Sequence, residues 1–368
     1  MINELKSYNG NSGHLLINLS TERIMKKRFT IFLAAFLLFA LKIQAQSAGP
    51  LKLLQTIPLP GLKDGDFDHF AVDLAGHRLF LAYEKNTAVG VFDLRTNKLI
   101  HTITDVKEPH SMVYRADLKK LFLVDGGVPE VRVYQGSSYK YLGGIKLEED
   151  CDSMAYDTAT KYMYVDNGGK GAHMPYSFIS IVDTTRSKKL ADIKIDSPSI
   201  EALALEKSGP RLFVNITGKN AVGVIDREKR TLIATWSIEP EAAYNVPMAF
   251  DEAGHRLFLG TSIFHSTNPG KLVVLDSDSG KIVTSLSSVA NPDDMAFDSR
   301  SKRIYIAGNE FFDVFQQNDA DHYELIGHIP TAFRAKTAIL VPQLNRFYVA
   351  APHHGDKEAE VLVYETVP

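Results

Sequence analysis

Met248-Ala-Phe250, Arg256-Leu-Phe-Leu259, Lys271-Leu-Val-Val-Leu275 and Lys281-Ile-Val-Thr-Ser-Leu286 are four short apolar runs in one stretch of chain. Asp251-Glu-Ala-Gly-His255 and Asp276-Ser-Asp-Ser-Gly280 separate the first from the second and the third from the fourth. The runs are rich in β-branched and aromatic residues, and Asp, Ser and Gly between them favour tight turns, so the stretch reads as four antiparallel strands, a to d.

The same unit returns along the chain. Its strand b is a basic or polar residue followed by apolar residues around a central aromatic. The copies are Arg78-Leu-Phe-Leu81, Lys120-Leu-Phe-Leu123, Tyr162-Met-Tyr-Val165, Arg211-Leu-Phe-Val214, Arg256-Leu-Phe-Leu259, Arg303-Ile-Tyr-Ile306 and Arg346-Phe-Tyr-Val349. Their aromatics lie 42 to 49 residues apart. Four strands in each such period is the pattern of propeller blades. The fold expected is all-β, a single seven-bladed β-propeller, with helix scarce because nothing after residue 50 carries a 3.6-residue apolar period. Leu51-Lys-Leu-Leu-Gln-Thr-Ile57 reads as a strand d without a blade, and Glu360-Val-Leu-Val-Tyr364 as a strand c without its strand d. Pairing them closes the ring and removes two exposed sheet edges.

The unit resembles the YVTN-repeat (YncE-like) β-propeller family over residues 51–368. The best copy is Arg211-Leu-Phe-Val-Asn215, Asn220-Ala-Val-Gly-Val-Ile-Asp226, Thr231-Leu-Ile-Ala-Thr235 and Asn245-Val-Pro-Met-Ala-Phe250. Glu108-Pro-His-Ser-Met-Val113 matches the segment with which the family leads into strand a. The resemblance implies the fold; the family spans surface proteins and periplasmic binders, and fold does not fix function.

Met25-Lys-Lys-Arg28, the apolar run Phe29–Leu41 and Ile43-Gln-Ala45 form a signal peptide, with cleavage expected near Ala45. The run is shorter than the roughly 20 residues that span a bilayer. Residues 1–24 read as an upstream extension, 25–45 as the leader and 46–368 as the propeller. The expected location is therefore the periplasm or the exterior, with no membrane span after cleavage. The mature chain keeps 35 Lys and Arg against 42 Asp and Glu, about −7, which argues against general nucleic-acid binding. Cys151 is the one cysteine, so neither an intramolecular disulfide nor a cysteine-based metal cluster can form. A monomer is expected.

In such a meander the a-to-b and c-to-d turns share one face, and the d-to-a and b-to-c connections share the other. His77, His255, Asp93, Asp183, Asp226 and Asp276 fall on the first and read as turn chemistry. On the second face, the copies align on the first apolar residue of strand a. Two positions earlier stand Asp68, His110, Asp152, Glu201, Val246, Asp293 and Lys336; one position earlier stand His69 and Asp294 among others; four earlier stand Asp66, Glu108, Asp150, Ser199, Tyr244, Asn291 and Arg334. Unlike ionisable groups thus ring the mouth of the central channel. The b-to-c loops add Glu84, Lys85, Asp166, His173, Tyr176, His265, His353 and His354 to this face.

Three chemistries fit that mouth. A binder would hold a small molecule, peptide or saccharide through Asp66, Asp68, Glu201, Asn245, Asp293, Asp294 and Lys336, with Tyr176, Tyr244 or Phe264 as stacking surfaces. A divalent ion (zinc, manganese or calcium) would sit on the arc of blades 7, 1 and 2, held by Asp68, His69 and His110 with His353 or His354, whereas the oxygens of Asp68, Asp152, Glu201 and Asp293 would suit calcium, magnesium or manganese. A metal-dependent hydrolase or lyase, architecturally similar to lactonase-like propellers but carrying none of their motifs, would add Glu108 or Asp152 as base. Polarity at a wet channel mouth is the plain alternative to all three. Nucleophile elbows, phosphate-binding glycine loops and dinucleotide fingerprints are absent from the sequence.

Overall fold

A computed structural model describes residues 49–262 and 268–367. The expected leader at 25–45, the extension at 1–24, Phe264 and His265 lie outside them. Within Pro50–Pro368 the chain forms seven four-stranded antiparallel sheets arranged as a β-propeller. Blade 1 runs Phe70–Asp73, Arg78–Tyr83, Ala88–Asp93 and Lys98–Ile103. Blades 2 to 6 repeat this order, opening with strands a at Pro109–Arg115, Met154–Tyr156, Leu203–Leu205, Asn245–Asp251 and Asp294–Asp298. Blade 7 joins the two ends of the propeller. Thr337–Val341, Arg346–Ala351 and Ala359–Thr366 supply strands a to c, and Leu51–Leu59 pairs antiparallel with the last as strand d, Leu51 opposite Thr366. The mixed-termini closure expected from the sequence is the one observed.

The repeated aromatic explains the repetition. Phe80, Phe122, Tyr164, Phe213, Phe258, Tyr305 and Tyr348 are all at most 2% exposed. Phe80 packs in the cluster shared with Met112 and Leu121 of blade 2, Phe122 with Met163 and Val182 of blade 3, and Tyr348 with Phe70 and Leu79 of blade 1. Each blade therefore plugs its central ring into the next, and seven such clusters make up the core. Truncating one ring, as in Phe258→Ala, costs about 3–5 kcal/mol. Among the described residues the only helical segments are three single 3-10 turns, and no helix is long and apolar enough to cross a membrane.

The turn face is stitched. His77 and His255 both sit at φ +54 in their a-to-b turns, and Asp276 accepts Ser279 N at 2.9 Å, so these residues do turn work. The basic residue opening strand b has a use as well. Arg211 pairs with Glu206 at 2.6 Å and donates to Ser277 O of the next blade at 2.6 Å. Arg256 likewise reaches Ala320 O and Asp321, Arg78 reaches Gly136 O, and Arg303 reaches Val367 O.

Candidate functional site

The loops leading into strand a are pinned before they reach the channel. Asp68 N donates to Ala82 O at 3.0 Å, Glu201 N to Asn215 O at 2.9 Å and Asp293 N to Ala307 O at 3.2 Å, so strand b holds the backbone of each. The side chain two positions before strand a is thereby held at the funnel wall. Asp68, His110, Asp152, Glu201, Val246, Asp293 and Lys336 all line one cavity of about 630 Å³. His69, Asp66, Arg334, Tyr244 and Asn291 join them, as the aligned rings predict.

One cluster stands out. Asp68, His69 and Asp152 each offer a donor atom, and these atoms lie within 4.8 Å of one another. His69 Nδ1 meets Asp294 Oδ1 at 2.9 Å, and Asp294 is itself fixed by accepting Ala338 N at 2.8 Å. The other ring nitrogen, Nε2, then faces Asp68 Oδ1 at 3.3 Å. Asp294 belongs to blade 6 and reaches His69 at blade 1, so the support crosses the channel mouth. His110 Nδ1 donates to the second oxygen of Asp68 and stands 3.4 Å from Asp152 Oδ1.

Burial and like charge set the electrostatics. Burial opposes charge on His110, but Asp152 and Asp68 outweigh it and hold the imidazole up to about 10. His69 is likewise raised, by Asp68 and Asp294 against burial. Burial would lift Asp68, yet the two imidazoles bring its carboxyl far below the usual range. Burial pushes up Asp152, Glu201 and Asp293, helped by Asp68 and Asp293 at Asp152, by Asp152 and Asp293 at Glu201, and by Asp68 and Asp294 at Asp293 despite Lys336 at 3.1 Å. A side chamber of about 130 Å³ opens between Asp152 and Glu201, where buried Asp166 is also raised, by burial and then by those two carboxylates.

Several expected residues are elsewhere. Glu108 hydrogen-bonds to Lys85 Nζ at 2.7 Å and lies outside the lining; Glu84 takes its place. Asn245 is fully buried, donating to Asn215 Oδ1 at 2.6 Å and to Ala221 O, so its work is to join blades 4 and 5. The Tyr176 ring packs on Phe178 and under Lys194 Nζ at 3.9 Å, away from the cavity. His353 lies outside the lining, and His354 packs tilted against Phe333 at 4.3 Å beside Asp64, so neither joins the Asp–His–Asp cluster. His110 is close to it but is held otherwise: Asp68 takes Nδ1, and a Cβ added at Gly126 would stand 2.7 Å from Nε2. Of the expected arc of blades 7, 1 and 2, the cluster contains Asp68 and His69 of blade 1, together with Asp152 of blade 3 from the oxygen-rich set. Sequence reasoning missed the lining residues Phe67, Pro292, Asn309 and Phe333. Phe333 precedes Arg334 and Pro292 precedes Asp293, so adjacency to the aligned rings was the available signal.

No protein-family model matches the chain, and no curated protein matches it in sequence. Solved structures do. A chain of the mitotic checkpoint complex aligns at TM-score 0.70 and 13% identity over 88% of this chain and 94% of that one. The RRP9 WD40 repeats align at 0.68 and 11%, over 87% and 98%. The hydrazine synthase of Kuenenia stuttgartiensis aligns at 0.65 and 16%, over 80% and 96%. At such identities the likeness carries the propeller fold alone.

Proposed function

We propose that this chain is an exported β-propeller of the YVTN-repeat kind that binds a small ligand at its channel mouth, with a divalent cation held by Asp68, His69 and Asp152. The observation that carries the reading is His69, whose Nδ1 is engaged by Asp294 so that Nε2 faces Asp68. A carboxylate behind an imidazole is the usual support of a metal-ligating histidine. Donors within 4.8 Å of one another fit a central ion bound at roughly 2.0–2.4 Å. One imidazole with two carboxylates suits zinc or manganese better than calcium, which takes oxygen ligands. Export rests on residues 25–45, and placement in the periplasm or outside the cell follows from it.

Binding is favoured over the lactonase-like alternative. Of the two carboxylates expected to act as base, Glu108 is tied to Lys85, and Asp152 belongs to the cluster that we read as holding the ion. Calorimetric titration of the chelated mature protein with Zn²⁺, Mn²⁺ and Ca²⁺ tests the reading. Micromolar or tighter binding of zinc or manganese, lost in Asp152→Asn, is expected. Binding no tighter than millimolar for all three ions, or an Asp152→Asn variant that binds like wild type, refutes it.

A further inference from the structure

The cavity is far larger than one ion requires. At about 630 Å³ it exceeds many times the roughly 30 Å³ that a water molecule occupies in the liquid. The part not used by Asp68, His69 and Asp152 has a different character. Ala202, Tyr244, Val246 and Pro292 make an apolar wall on blades 4 to 6, and the carboxylates of Glu201 and Asp293 stand on the same blades.

Glu201 differs from the other acids of the mouth. Asp293 has Lys336 at 3.1 Å, Asp66 has Arg334 at 2.9 Å, Glu84 has Lys85 and Asp68 has His110. Among the described residues, the Glu201 side chain makes no hydrogen bond or ion pair. The charge count points the same way. The cavity is lined by six carboxylates against one lysine, one arginine and two imidazoles. An ion taken by Asp68, His69 and Asp152 adds two positive charges and leaves His69 neutral. Lys85, Lys336, Arg334 and His110 each stand beside another acid, so Glu201 is the carboxylate of this lining left without a cation.

A bare inorganic cation could use the oxygens of Asp152, Asp166 and Asp293 around Glu201, but it would leave the apolar wall of Ala202, Val246 and Tyr244 unused. An ammonium group on a carbon skeleton is served well. Its charge needs one carboxylate, its substituents bury against the aliphatic wall, and an aromatic face attracts a cation by about 0.5–2 kcal/mol. We propose that Glu201 is the counter-ion for the ammonium group of a small organic amine held in the channel mouth against Tyr244 and Val246. The inference rests on the reading of the mouth as a ligand site and names the ligand's chemistry.

The test compares n-butylammonium with n-butanol by calorimetry on the mature protein, with and without saturating Mn²⁺. The amine should bind about tenfold or more tighter than the alcohol, the 1.4 kcal/mol of one charge-assisted hydrogen bond. Glu201→Gln should abolish that preference and still bind manganese, while Asp68→Asn should lose manganese and keep the preference for the amine. Equal affinity of wild type for amine and alcohol overturns the proposal without any variant, and so does an undiminished preference in Glu201→Gln. Loss of the preference in Asp68→Asn would put the ammonium at the ion site and also overturn it. Failure of wild type to bind any divalent ion is read separately, and defeats the metal site alone.

Discussion

The two faces of this propeller are built from the same repeat and end in opposite electrostatic states. On the turn face, charge is closed within the fold. Glu206 has Arg211 at 2.6 Å, Asp73 has Arg78 at 2.7 Å and Asp276 takes turn amides, so each carboxylate meets a donor supplied by its own or an adjacent blade. At the mouth, Asp152, Glu201 and Asp293 face one another and are pushed up together. A face that is satisfied on folding contributes stability. A face that is left in excess negative charge contributes affinity for something positive, at some cost to the empty protein.

Substitutions break the comparison in order of size. Asp68→Asn should lower affinity for manganese or zinc about a hundredfold or more by removing a ligand, and should also lower the melting temperature of the ion-free protein, because His69 and His110 lose their anionic partner. Asp294→Asn acts one step back. It touches no ion, yet by loosening His69 it should cost about ten- to hundredfold in ion affinity, readable in the same titration. On the opposite face, Arg256→Met should cut stability by about 1–3 kcal/mol by removing bonds to Ala320 O and Asp321, and leave ion affinity unchanged. If Arg256→Met weakened ion binding while Asp68→Asn did not, the functional face would be the other one.

What the sequence made legible follows from what is periodic. The blade aromatics repeat because each performs the same packing step, so seven copies were enough to read the ring and its closure. The position two before strand a was legible for a similar reason, since hydrogen bonds to strand b hold that residue at the channel. Alignment fails where the backbone leaves the repeat. Glu108 sits where Asp125 accepts its backbone amide at 2.8 Å, and its side chain turns toward Lys85 of blade 1. Asn245, three residues before its anchor Met248, faces the interior instead. His353 and His354 ride a loop whose path no neighbouring copy predicts. The partnership of His69 with Asp294 joins residues 225 apart across the channel, and pattern within one blade cannot reveal it.

The smallest expected effect concerns pH, and its sign separates the two faces. An unfolded histidine titrates at about 6.5, whereas Asp152 and Asp68, against the opposing effect of burial, hold His110 up to about 10. A group raised on folding adds stability that is complete below its unfolded value and is lost as pH climbs through its folded value. The carboxyls of Asp152, Glu201 and Asp293 are raised as well, so they too favour the folded state while protonated and stop doing so above the ordinary carboxyl range. The ion-free protein should therefore melt at progressively lower temperature from about pH 5 to about pH 10. His110→Gln should flatten the upper part of that fall, between about 6.5 and 10, and the turn-face variant Arg256→Met should leave the slope alone. Saturating manganese should oppose the trend, because ligands hold an ion in their deprotonated form and binding strengthens as pH rises. Melting curves of chelated and manganese-loaded protein across this range decide the matter. A slope in His110→Gln equal to that of wild type would mean that the imidazole is not charged at the mouth, and the contrast between the faces would then rest on the carboxylates alone.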